Sequence, residues 1–202
     1  MKTNQAIDKY AKLYRSALRE QGIQAVEEKT AQYRKRLSEM YASQKYREHN
    51  VYPTMDVQLI YAVIAMCLEL RSFGFSKQEI MAFSDRMFKK RKQVFARIIR
   101  LIDRLPNSWR IARKWNINDH AKRDRDHSIT YEVFDAEEDR IEYRISHCMY
   151  VEMFAYYGIR DLCKIFCNTD TQAYAGLTRH VRFVRHSDLS DGDCCWDEVH
   201  RR

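Results

Sequence analysis

Glycine and proline are scarce, five and two in 202 residues, which excludes collagen-like repeats, Pro/Gly-rich disorder and linker-rich modular chains. Long apolar runs are also missing. The longest, Leu59 to Leu68, is about ten residues against the roughly 20 a membrane span needs, and Asp56, Glu69 and Arg71 flank it. The first residues, Met-Lys-Thr-Asn-Gln, lack the apolar stretch of a secretory signal. The expectation is therefore a cytoplasmic, reducing setting in which the six Cys are thiols, with no membrane partner. Zinc-finger spacing, a Gly-rich RNA-recognition signature and an isolated helix-turn-helix pattern are absent as well.

What is present suits a packed core: 45% hydrophobic and 12% aromatic residues in a chain the size of one large domain. The expected organisation is a single domain over residues 1–202, helical to residue 106 and mixed from 127 onward. The net charge of +8 is unevenly spread. Residues 1–50 carry 11 Lys/Arg and 6 Asp/Glu, residues 51–126 carry 16 and 8, and residues 127–202 carry 9 and 14. All Cys but Cys67 fall in that acidic last third.

Helical periods run through the first fifty residues (Ile7, Tyr10, Ala11, Tyr14, Leu18; Ile23, Val26, Tyr33, Leu37, Met40), with Gly22 placed to end the first helix. An antiparallel pair and one bent helix fit equally. A third helix, roughly Met55 to Ser72, is apolar around most of its circumference and should be central, with Cys67 a small buried hydrophobe. Ser76 and Glu79 have capping-box spacing for a fourth helix that runs to about Leu105, before Pro106. That helix carries Lys89-Lys90-Arg91-Lys92, Arg97, Arg100 and Arg104, opposite an apolar stripe of Ile80, Met87, Val94, Ile98, Leu101 and Leu105. The basic residues read as its wet face, and nucleic acid is disfavoured as a partner.

Residues 107–127 are polar and read as a connector. The period then changes to alternation: Ile129, Tyr131 and Val133, a turn at 135–139, then Ile141, Tyr143 and Ile145 predict a β-hairpin. Residues 149–157 and 159–166 return to helical patterns around Gly158. Val181, Phe183 and Leu189, with a turn at Ser190-Asp191-Gly192-Asp193, predict a second hairpin. The fold class expected is α+β: a helical front half, then a small antiparallel sheet of two hairpins with short helices on one face.

The chemistry-bearing residues cluster late. His147 and Cys148 are adjacent, so at a strand end they point to opposite faces and are a poor nucleophile–base pair, although either can line a pocket with another partner. Cys148 reads equally as the first buried residue of its helix. Cys163 and Cys167 are four apart and share a helix face. Asp170 either joins their cluster or caps the segment 171–176. Cys194 and Cys195 make tetrahedral zinc an alternative, weakened because C-x3-C followed by C-C lacks the paired spacing of fingers and ribbons. No cofactor is otherwise called for.

The run His147-Cys148-Met149-Tyr150, the stretch Gly158 to Asp170 (GIRDLCKIFCNTD), Phe183-Val184-Arg185, Asp188-Leu189-Ser190-Asp191-Gly192 and Cys194-Cys195-Trp196-Asp197 resemble the L-2-amino-thiazoline-4-carboxylic acid hydrolase family over residues 129–199. The resemblance implies a cytoplasmic bacterial hydrolase that opens a five-membered ring containing a C=N bond flanked by sulfur, giving a carbamoyl-cysteine. One departure stands out. The family's Cys is followed directly by Asp and an aromatic residue, whereas here Trp196 intervenes and Glu198 takes the aromatic position. Either one thiol position is lost to Trp, or the carboxylate is displaced by one residue and turned to the other face.

Such a reaction needs a nucleophile, a proton donor for the leaving atom and a cation for a carboxylate substrate. Cys148 or Cys167 serves as thiolate, and Asp170 or Asp197 as general acid or base. Arg185 serves as the carboxylate's partner, or else is a surface strand residue, with His147 and Cys195 lining the substrate pocket. A non-catalytic small-molecule sensor and a thiol-ligated metal module are the rival readings. A homo-oligomer is compatible with all three.

Overall fold

The computed structural model describes residues 2–202, which divide into two compact units, one up to residue 89 and one from 90 to 202. The first unit is wholly helical: α1 (Thr3–Glu20), α2 (Val26–Ala42), α3 (Gln44–His49), α4 (Thr54–Ser72) and α5 (Lys77–Met87). Gly22 adopts φ +66°, and its N–H and that of Ile23 close on the carbonyls of Arg19 and Leu18, which ends α1 as the sequence predicts. The choice left open between a bent helix and a pair is settled as an antiparallel pair. Arg15 and Arg19 near the end of α1 meet Glu27 at the start of α2, while Asp8 meets Arg34 about two turns away along both helices.

Between them lies α4, fully buried from Ile60 through Cys67 and again at Leu70. Tyr33 and Tyr41 pack against it and donate their hydroxyls to the carbonyls of Ala62 and Gln58, at 3.1 and 2.7 Å. Tyr14 and Tyr33 stack at 4.4 Å. Each such side chain contributes about 1.5–3 kcal/mol by leaving water. Ser76 and Glu79 form the expected capping box at the start of α5.

The expected fourth helix is two helices. The chain breaks at Phe88, and a separate helix, α6 (Lys89–Asp103), follows. It turns Ile99, with Phe95 and Ile102, toward the second unit's core, so Val94, Ile98, Leu101 and Leu105 of the expected stripe stay exposed. The expected connector is also a helix, α7 (Ser108–Arg125). Hydrophobic periodicity fails there because only Trp109 and Ala112 insert into the core, and the rest of the inward face is polar.

The sheet consists of β1 (Ile129–Ala136), β2 (Arg140–Cys148), β3 (Val181–Ser187) and β4 (Cys195–Arg201), antiparallel throughout in the order β1-β2-β4-β3. It is the predicted pair of hairpins joined through β2 and β4. Between them come α8 (Met149–Tyr156), a 3-10 turn (Arg160–Cys163) and α9 (Lys164–Tyr174). A shift of register in β1 breaks the expected alternation, bringing Tyr131 opposite Ile145 and Phe134 opposite Tyr143. Both β1 rings then meet His120 of α7, with Phe134 stacked on it at 3.7 Å.

Cross-strand partners share a face, so the register defines rows. One row is Ile141, Val199 and Phe183. It packs with Trp109, Ala112, Ile99 and Leu177 to make the core. The next row is Phe134, Tyr143, Asp197 and Arg185. One sheet face therefore passes from oil to charge within two residues. Trp109 donates to the Glu138 carbonyl (2.8 Å), and Arg113 to those of Ala136 and Glu137 (2.7 Å each), which clamps α7 onto the first hairpin.

Candidate active site

The polar row is built around Arg185. Its Nε and Nη2 donate to the two carboxylate oxygens of Asp197 at 2.8 and 2.7 Å, its Nη1 to the Cys167 carbonyl at 2.6 Å, and Nη2 again to Asp170 at 3.4 Å. Asp197 is fully buried. Burial disfavours the guanidinium's charge, but the Asp197 hydrogen bonds and charge outweigh it and hold the group above its ordinary range. This one side chain ties β3, β4 and α9 together. Its bidentate fork is occupied by Asp197, so the substrate carboxylate that the sequence assigns to Arg185 would have to compete with a built-in partner.

Trp196 does not separate Cys195 from Asp197 in space. Two residues apart on a strand, they lie on the same face, and the Cys195 thiol donates to Asp197 at 3.5 Å. Burial, then the Asp197 charge, pushes that thiol's pKa up. Trp196 occupies the opposite face, stacked on His186 at 4.0 Å with the Arg144 guanidinium over its ring. Thiol and carboxylate therefore share the inner side of the sheet.

Asp170 is not a helix cap. α9 runs unbroken through it to Tyr174, because the polar stretch Asn168-Thr169-Asp170 lies within an amphipathic helix rather than at its end. Cys163, Cys167, Asp170 and Tyr174 then follow at intervals of four, three and four, one stripe of the helix and the turn before it. Cys163, fully buried, donates to the Cys167 sulfur, so the Cys163 pKa rises and that of Cys167 falls, with the Arg185 charge assisting. Asp170 keeps 59% of its side chain open. Crowding by surrounding protein, and secondarily the Asp197 charge, still outweigh Arg185 and raise it to about 6.

Cys148 lies within electrostatic reach of Cys167 but is a different kind of thiol. Burial pushes it up to about 11 against the opposing backbone amides of Tyr150 and Val151. His147 faces the other way and meets Glu152 at 3.2 Å, apart from the cluster. The structure thus brings Cys167, Asp170, Arg185, Cys195 and Asp197 into direct contact, places Cys148 beside them, and leaves His147 outside.

Sequence reasoning missed the walls. Tyr131, Tyr143 and Tyr174 all feel the Asp170 charge, and burial raises each phenol well above its usual pKa. Tyr174 donates to Asn116 at 2.9 Å. Asn116, Asp119 and Arg123 form a polar stripe on α7, at helical spacing that a search for polar as well as apolar periodicity would have found.

Among the described residues, no three or more His, Cys, Asp or Glu converge on a point that could hold a metal ion. No described helix is long and apolar enough to cross a membrane. A polar, open cleft of about 340 Å³ in the helical unit, lined by Gln32, Lys35, Arg36, Glu39, Glu69 and Ser72, contains none of the chemistry above. It is a trough beside the Arg36–Glu69 ion pair.

No curated protein matches the chain. A family model matches residues 59–197, reaching further into the helical half than the C-terminal motifs alone, and on that match the chain belongs to the L-2-amino-thiazoline-4-carboxylic acid hydrolase family.

Proposed function

We propose that this protein hydrolyses a small cyclic amidine of the thiazoline type, opening the ring with Cys167 as nucleophile and Asp170 as general acid and base. Family membership supports a hydrolase. The observation that carries the assignment is the α9 stripe, which sets a thiol of lowered pKa one turn from a carboxyl that titrates near 6, both against Arg185. A general acid works best with a pKa near the operating pH.

The Cys167 thiolate attacks the ring carbon that carries the amidine. The C=N electron pair moves to nitrogen, which takes the proton of Asp170. The tetrahedral carbon collapses with cleavage of the ring C–S bond, and the departing sulfur is protonated from water. The isothiourea left on Cys167 is attacked by a second water, deprotonated by the Asp170 carboxylate, and Cys167 leaves as thiolate. The net change is addition of one water, giving a carbamoyl-cysteine. Asp197 fixes Arg185, which in turn holds the α9 carbonyl at Cys167 and stabilises the thiolate.

Turnover of 2-amino-thiazoline-4-carboxylate tests this. Cys167→Ala is expected to abolish turnover, Asp170→Asn to lower kcat by about 10²–10⁴, and Cys148→Ala to retain most of it. If the wild-type protein consumes neither this ring nor another cyclic amidine, the proposal fails. If Cys167→Ala stays active, the nucleophile is wrong.

A further inference from the structure

Between Asp85 and Asp119 the chain carries eleven Lys/Arg and a single acid, Asp103. That acid is spent inward: it is buried and accepts the backbone N–H of Arg179 at 3.0 Å. The α6 helix runs through the middle of this stretch and is apolar over more than the face it buries. Ile99, Phe95 and Ile102 are held in the core of the α+β unit. Val94, Ile98, Leu101 and Leu105, at intervals of four, three and four, form a second stripe that is 43–61% exposed.

Cations border that stripe. Lys90, Arg97 and Arg104, seven apart, form a row along one side with Arg100 behind it, and Arg91 lies on the other side. All five are exposed, and among the described residues none of them pairs with a carboxylate. Arg100 donates only to the Ala96 carbonyl of its own helix, at 3.2 Å. Trp115 of α7, edge-on to Phe95 at 6.1 Å and itself part-exposed, stands beside α6.

Exposed aliphatics flanked by cations favour a surface that is apolar and anionic together. The phosphates of a nucleic acid match the cations but not the four aliphatics. A second copy docked about a two-fold axis would set the cations against themselves. A groove that engulfs a helix needs more of its circumference than α6 offers, since Ile99 and its neighbours are held in the core. A flat lipid surface needs only the exposed half: the aliphatics enter the acyl boundary while the cations meet the headgroups.

We propose that α6 is a peripheral docking surface for anionic lipid, with Val94, Ile98, Leu101 and Leu105 inserted and Lys90, Arg97, Arg100 and Arg104 on the headgroups. This departs from the sequence expectation of no membrane partner, which rested on the lack of a spanning run; lying on a surface requires none. It is independent of the hydrolase reading, because none of these residues belongs to the α9 cluster.

The intact chain, centrifuged with vesicles of phosphatidylcholine alone or with phosphatidylserine added, provides the test. Binding is expected to the anionic vesicles only, and to weaken as salt rises. The triple variant Arg97→Gln, Arg100→Gln, Arg104→Gln is expected to lower vesicle affinity roughly 100-fold, about fivefold for each cation. The double variant Ile98→Ser, Leu101→Ser keeps every charge and is expected to lose roughly 10–100-fold. No binding, or equal binding to the two vesicles, overturns the inference. So does a Ser variant that binds as tightly as wild type, because the contact is then charge alone. Random duplex DNA bound while vesicles are not would make nucleic acid the partner instead. A dimer of the free protein that the Ser variant dissociates would assign the stripe to a second copy and likewise overturn lipid docking.

Discussion

Two carboxylates flank one guanidinium and are treated differently by their surroundings. Asp197 is sealed in the sheet and accepts both arms of the Arg185 fork; Asp170 touches the same group at 3.4 Å from an open helix face. Asp170 has a folded pKa of about 6, above the ordinary carboxyl value near 4 of an unfolded chain. The folded state therefore binds the extra proton between those values, and ionising Asp170 costs stability as pH rises through this window. Asp170→Asn removes that cost. Its melting temperature relative to wild type is expected to rise between pH 4 and pH 6.5 and to level off above, as read by thermal unfolding across pH. A difference that falls over that window would mean that Arg185 dominates the environment of Asp170 and the carboxyl is depressed. The residue types of this cluster were legible in the sequence; their roles were not, because Arg185's fork is closed by a partner twelve positions away that only strand pairing brings near.

Elements were legible where one physical signal dominated. The ends of α1 and α8 were readable because Gly22 and Gly158 sit where a helix must turn left-handed, and the capping box of α5 because its two side chains are fixed by spacing. The sequence misled where an element's inward face is polar. α7 reads as a connector and α9 as ending before Asp170, since both turn polar side chains toward the candidate site, and hydrophobic periodicity sees only oil-facing stripes. The bulge in β1 was invisible for a similar reason: period-2 alternation cannot register an inserted residue. Gly158 allows a test at this scale. It holds φ +68° with open space where a Cβ would go, so Gly158→Ala adds backbone strain without a clash. The expected cost is about 1–2 kcal/mol, measured as a lower urea midpoint. Gly158→Asn, which tolerates this conformation better, should recover part of it. An unchanged midpoint for Ala would show that the turn relaxes and that α8 is not pinned by it.

At the scale of the whole chain, the thiols report on both units. Cys67 is buried in the helical unit, Cys163 and Cys195 are buried in the α+β unit, and Cys148, Cys167 and Cys194 keep partial exposure. Alkylation requires thiolate and access together. In the native protein Cys167 should react before Cys148, since its pKa is lowered, while Cys148, held near 11, lags despite similar exposure. Cys67, Cys163 and Cys195 become reactive only on unfolding. The two units have separate cores, one of tyrosines around α4 and one of Ile141, Val199 and Trp109 beneath α7, so opening of one does not by itself expose the other. Along a urea series, read by mass spectrometry after a short pulse of iodoacetamide, Cys67 is expected to label at a different midpoint from Cys163 and Cys195, and those two at the same one. Coincident labelling of all three would show that residues 1–202 melt as the single cooperative domain the composition suggests; Cys163 and Cys195 parting from each other would mean that α9 leaves the sheet before the sheet unfolds, and the site would then belong to the least stable part of its unit.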